Sequence, residues 1–130
     1  MNVEKLFNGI EHVAIAAKDP KALARWYCDT LDFKIAYEST QSLTTLVKLG
    51  ENLIEIIEAV DVDRVLHEER DPGLRHIAIS VTDIHKAYEH LKRKNVLFKS
   101  EPSERRGVWT AFFEDPENNL IHLIQRSSGL

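Results

Sequence analysis

Four side chains in this chain have the chemistry to hold a metal ion: His12, Glu55, His76 and His122. Each interrupts an otherwise apolar run, and they occur at equivalent places in an internal repeat. Gly9-Ile10-Glu11-His12-Val13-Ala14-Ile15 returns sixty-four residues later as Gly73-Leu74-Arg75-His76-Ile77-Ala78-Ile79. Asn52-Leu53-Ile54-Glu55-Ile56-Ile57-Glu58 returns sixty-seven residues later as Asn119-Leu120-Ile121-His122-Leu123-Ile124-Gln125. A lone carboxylate on an apolar strand is costly to bury unless it is paired or coordinated. Three imidazoles and one carboxylate meet that need with a divalent ion. This donor set suits Zn, Ni, Co, Fe or Mn better than Mg or Ca.

The elements that must position these residues follow from periodicity. A repeat of this length means two copies of one supersecondary unit. Residues 10–17 alternate with a β period. Asp19-Pro20 then supplies an N-cap and a first helical residue, and Leu23, Trp26, Tyr27 and Leu31 form the buried stripe of a helix. Strands are predicted near 33–39, 43–49 and 52–59, with a loose turn over Ser39–Ser42 and a tight one at Gly50-Glu51. The second copy runs through strand 74–81, the cap Asp83 and a helix with the stripe Ile84, Ala87, Tyr88 and Leu91. Strands near 96–100, 107–113 and 119–125 follow, the last entered through Asp115-Pro116-Glu117-Asn118-Asn119. Each half reads β-α-β-β-β. The expectation is one domain over 1–130, made of module 9–59 and module 73–126 joined by a charged linker, 60–72, with a helical turn through Val65 and Leu66.

Strand parity assigns faces. His12 shares its face with Ala14 and Ala16, Glu55 with Leu53 and Ile57, His76 with Ala78 and Ser80, and His122 with Leu120 and Ile124. The opposite faces are branched aliphatic and suited to lie under a helix. This predicts an α+β fold, a cup-like mixed sheet with the helices outside and the site inside.

Bulk properties exclude several partners. With 17 basic and 21 acidic residues the formal charge is −4, without a basic stripe for nucleic acid or an anionic membrane. No apolar run has the length of a membrane span, and Met1-Asn2-Val3-Glu4-Lys5 lacks the basic-then-apolar pattern expected of a signal peptide. Cys28 is the single cysteine, so no internal disulfide forms; a cytoplasmic protein is expected. Cys28 reads as a buried, inert thiol. His67, His85 and His90 read as solvated, Glu58 as a surface residue, Trp109, Phe112 and Phe113 as core aromatics, and Arg105-Arg106-Gly107 as a solvated turn rather than a carboxylate clamp.

Glu11-His12-Val13-Ala14-Ile15, Leu53-Ile54-Glu55-Ile56, Arg75-His76-Ile77-Ala78-Ile79-Ser80-Val81 and Phe113-Glu114-Asp115-Pro116-Glu117-Asn118-Asn119-Leu120-Ile121-His122-Leu123 occur in this order over nearly the whole chain. In this the sequence resembles the vicinal oxygen chelate superfamily, the glyoxalase, bleomycin-resistance and extradiol-dioxygenase fold. The resemblance implies paired modules forming a U-shaped sheet around an open divalent metal site, and a metal-dependent lyase or isomerase acting on a small oxygenated substrate chelated through vicinal oxygens, in a homodimer. His12, Glu55 and His76 fall on the family's first three ligand positions. The fourth carries His122 where the family motif usually places Glu, which makes His122 or Glu55 the candidate base. Three neutral imidazoles and one carboxylate leave a divalent ion a net charge of about +1 rather than 0, a stronger Lewis acid than a second carboxylate in place of His122 would leave. The alternatives are an extradiol-type dioxygenase and a ligand-sequestering protein of the bleomycin-resistance kind without catalysis.

Overall fold

The structure is a computed structural model that describes residues 5–61, 68 and 70–128. The predicted helical turn at Val65 and Leu66, and His67, lie outside the described residues. The chain divides into two compact units, Met1–Val62 and Asp63–Leu130. Each is a β-α-β-β-β module with a four-stranded mixed sheet, so the fold is α+β as predicted.

In the first unit β1 (His12–Ala17) is followed by α1 (Pro20–Leu31), β2 (Lys34–Glu38), β3 (Thr45–Leu49) and β4 (Asn52–Glu58). The sheet order is β1-β4-β3-β2, with β1 parallel to β4 and the other pairs antiparallel. Asp19 caps α1 by accepting from the Ala22 N–H at 3.1 Å, and Pro20 needs no such partner. The helix stops at Asp32, which takes a left-handed conformation (φ 63°), and the Phe33 N–H then turns back to the Tyr27 carbonyl. Leu23, Ala24, Tyr27 and Leu31 bury one side of α1 against Ile15, Val47, Ile54 and Ile56 of the sheet. Full burial of each such large side chain contributes about 1.5–3 kcal/mol. Every buried strand residue named here has the parity opposite to His12 and Glu55.

The second unit repeats this plan with β5 (His76–Ser80), α2 (Ile84–Arg93), β6 (Ser103–Arg105), β7 (Val108–Glu114) and β8 (Leu120–Arg126), in the sheet order β5-β8-β7-β6. Asp83 caps α2 by accepting from the Lys86 N–H at 3.1 Å, and the Ile84 N–H donates to Gln125 Oε1 at 2.7 Å, tying the helix start to β8. Ile84 and Leu91 bury α2 over Ala111, Phe113, Ile121 and Leu123.

The edge of this second sheet departs from expectation. Residues 96–100 do not form a strand; they touch β7 through one bridge, Phe98 to Phe113, and the edge strand is Ser103–Arg105 instead. Residues 99–102 stand opposite only 111 and 112, so the edge carries two extra residues. Phe98 packs its ring against Tyr88 of α2 (4.6 Å between centroids) and against Phe113 (5.1 Å). That anchor holds the segment at the helix, and Pro102 has no N–H to give to a ladder. The ladder resumes only after it. In the first sheet the edge strand β2 is also irregular, with Ala36 unpaired between Ile35 and Tyr37.

Candidate functional site

Backbone register places the four metal-capable side chains by one rule used twice. In the first sheet Ala14 is paired with Glu55, and His12 lies two residues before Ala14 on the same face. In the second sheet Ala78 is paired with His122, and His76 lies two residues before Ala78. Each parallel pair of strands thus sets one first-strand imidazole diagonally beside a side chain of the last strand, with alanine leaving the space between them.

The distances follow from that register. In the first unit His12 Nε2 stands 3.7 Å from Glu55 Oε1, and both side chains are about one-third exposed, 35% and 30%. The other ring nitrogen, Nδ1, is 2.9 Å from Glu11 Oε1. A carboxylate only accepts, so a hydrogen bond there makes Nδ1 the donor and turns the lone pair of a neutral imidazole, on Nε2, toward Glu55. Two acceptors then face each other across 3.7 Å, an arrangement satisfied by a proton on the ring or by a cation. In the second unit the rings of His76 and His122 lie 4.6 Å apart at 53°, with His76 exposed and His122 buried. The structure therefore brings the four residues together as two pairs. Among the described residues no group of three His, Cys, Asp or Glu side chains gathers around one point.

The turn before β8 is a fixed entry to His122. Asp115, 3% exposed, accepts from the backbone N–H of Glu117 (2.9 Å) and of Asn119 (3.0 Å) and from the Asn119 side-chain amide. Asn118 takes φ 69°, a conformation that Asn tolerates. This closes the Asp-Pro-Glu-Asn-Asn turn and fixes where β8 starts.

Phe112, expected in the core, stands directly opposite His122 on β7. Its ring is half-buried on the histidine face, 4.6 Å from that of His122 and 6.4 Å from that of His76. Parity separates it from Phe113, which is fully buried under α2 as expected. Trp109 lies on the α2 side, half-buried, with the exposed ring of His85 4.7 Å away, so His85 is not merely solvated. Tyr37 is the aromatic of the first sheet nearest Glu55 in register: Glu55 pairs with Leu46 and Leu46 with Tyr37. Sequence reasoning passed over Glu11, Tyr37 and the side of the sheet taken by Phe112. The repeat contained the signal for the last two, because each lies in the row of a candidate ligand.

Cys28 is partly rather than fully buried. Burial pushes its thiol pKa up, the neighbouring Asp29 carboxylate adds to this, and Lys34 opposes it. Glu58 and Arg106 are exposed, as expected. No described helix is long and apolar enough to cross a membrane.

The sequence and the fold are similar to those of known proteins. Uncharacterized protein YaeR of Escherichia coli is 28% identical over 125 residues, 90% of this chain and 95% of that protein. A probable lactoylglutathione lyase of Synechocystis is 28% identical over 127 residues, 90% of this chain and 95% of that protein. The fold also matches TnmS3, an antibiotic binding protein from Streptomyces, with a TM-score of 0.75 at 16% identity over 95% of this chain and 100% of the other. The sequence model of the Glyoxalase/Bleomycin resistance protein/Dioxygenase superfamily matches residues 9–123, a span that holds all four candidate ligands. The chain belongs to this superfamily.

Proposed function

We propose that His12, Glu55, His76 and His122 hold one divalent transition metal, contributed by a single chain or by two copies, and that the protein is a glyoxalase-like lyase or isomerase. The observation that carries this reading is the meeting of His12 Nε2 and Glu55 Oε1 at 3.7 Å with Glu11 behind the ring, repeated in register by His76 and His122. One carboxylate with imidazoles is a donor set for Zn, Ni, Co, Fe or Mn. When bound, such an ion supplies Lewis-acid polarisation of adjacent substrate oxygens.

The remaining work falls to the chain's own groups. Glu55 and His122 can each take a proton from a carbon next to a carbonyl and return it to the neighbouring carbon, the transfer an isomerase of this kind needs. His122 is buried beside Phe112, so a substrate proton passed to its ring is kept from bulk water. Ala14 and Ala78 leave room for a small substrate over each sheet.

A second reading, a ligand-sequestering protein, draws on Tyr37 and Phe112. Both present a ring in the row of a candidate ligand, where a flat molecule can stack without reacting.

Metal content per chain of gently purified protein, beside a variant with H76A and H122A, tests the proposal. Near-stoichiometric Zn, Ni or Co that the variant loses is expected; iron with oxygen uptake would instead move the protein to the dioxygenases. No metal bound as purified and none taken up on addition would leave the sequestering reading.

A further inference from the structure

The histidine face of the second sheet ends in a row of cations that metal chemistry leaves unused. Register sets Arg105 of β6 opposite Val108 of β7, and Val108 opposite Arg126 of β8. Directly paired residues share a face, and alternation along β8 puts Arg126 on the side of Ile124 and His122. Two guanidinium groups therefore flank one valine on the face that carries His76 and His122. Both arginines are exposed, and among the described residues neither has an acidic partner, whereas Lys21 and Lys99 are paired with Glu38 and Glu114. Glu104, the acid next to Arg105, has the opposite parity, and its carboxylate accepts from the Gly107 N–H at 2.7 Å. Like charges in one row repel, and an oxyanion between them removes that cost.

The surroundings supply neutral donors and space. A cavity of about 430 Å³ beside Arg126 is lined by Ser80, Val81, Ile124, Ser127 and Ser128. Ser80 pairs with Ile124 in register, which brings its hydroxyl to the histidine face. Ser127 is fixed by its N–H bond to the Gly107 carbonyl at 2.9 Å. Its hydroxyl packs so closely on Gly107 that a Cβ there would lie 2.5 Å from Oγ. Arg126 lies four residues beyond His122 along β8, about 13 Å at about 3.3 Å per residue.

We propose that Arg126 and Arg105, with the Ser80 hydroxyl, bind the anionic end of a small substrate, a carboxylate or a phosphate. The oxygens at the other end of that molecule, about 13 Å away along the strand, reach His122 and the His76 ring beside it. The placement of that second end rests on the proposed metal chemistry; the anion subsite does not.

The test is titration of the full chain, metal-free and metal-loaded, with inorganic phosphate and separately with succinate, followed by amide chemical shifts. Saturable shifts centred on Ser80, Arg126 and Ser127 are expected from one probe or both, phosphate alone marking a phosphoryl substrate and succinate alone a carboxylate. R126Q and R105Q should each weaken binding at least about tenfold, the loss of a charged hydrogen-bond partner. R126K, which keeps the charge without the fork, should fall between R126Q and the parent. K86Q, which removes an exposed positive charge on α2, should bind the anion like the parent. Unsaturable shifts with both probes, or parent-like binding by R126Q and R105Q, would overturn the subsite. Metal content measured on the same samples separates the two readings: anion binding without metal uptake keeps the subsite and removes the metal site, and the converse removes the subsite alone.

Discussion

Glu11 Oε1 stands 2.9 Å from His12 Nδ1, so the first candidate ligand is held from behind by its own chain neighbour. Neighbouring residues on a strand point to opposite faces, yet here the glutamate, at the strand's entry, reaches round to the ring. The contact fixes both the tautomer and the rotation of an otherwise exposed imidazole. Carboxylates in this role are worth about 10–100-fold in metal affinity, and the 80% exposure of the Glu11 side chain argues for the low end. E11A should weaken zinc binding about tenfold, measured by competition with a chromophoric chelator, while the unfolding midpoint stays within the scatter of the parent. Parent-like affinity in E11A would mean that the contact does not position the ligand.

Asp115 gives a second prediction, on stability and site together. Its carboxylate accepts from two backbone N–H groups and one amide, and Oδ1 alone takes three of the four short contacts. D115A leaves part-buried donors at Glu117 and Asn119 without an acceptor, each at the low end of about 1–3 kcal/mol, so a loss of about 2 kcal/mol is expected in urea unfolding. D115N keeps one acceptor oxygen and should lose less. Because this turn sets the start of β8, D115A should also lower metal stoichiometry through His122 under conditions where the protein is still folded. If D115A unfolds like the parent, the turn is not what fixes β8.

Much of this is legible in the sequence. The Gly-x-x-His-x-Ala repeat announced two equal modules, Asp19 and Asp83 marked helix starts, and alternation told which face carried His12, Glu55, His76 and His122. These signals are local, a matter of period and cap, so they survive without knowledge of the partner strand. The edge of the second sheet was not legible, because Phe98 is held by Tyr88 and Phe113 from distant elements and overrides the β character of residues 96–100. Phe112 and Phe113 are identical by composition, and only the register of β7 against β8 sends one to His122 and the other to the core. Glu11 was visible as a residue but not as a partner, since a side-chain rotamer brings it to His12.

The last prediction concerns Cys28, whose thiol pKa burial raises above the ordinary range, with Asp29 adding to the shift and Lys34 reducing it. The folded chain then holds the thiol proton more tightly than the unfolded chain does. The resulting stability is fully present below the unfolded thiol pKa and is lost as pH rises through the folded value, so the sensitive window is alkaline and neutral pH lies outside it. The thiolate is the nucleophile, so alkylation at about pH 8 should be slower than for a small unhindered thiol. The rate should climb with pH along a curve displaced to the alkaline side, read by mass spectrometry after timed quenching with iodoacetamide. C28A should erase the labelling and lessen the alkaline fall in stability while leaving metal content unchanged, because Cys28 lies on α1, apart from the face that carries His12 and Glu55. Labelling as fast as the small thiol would show that the environment of α1 does not hold the proton.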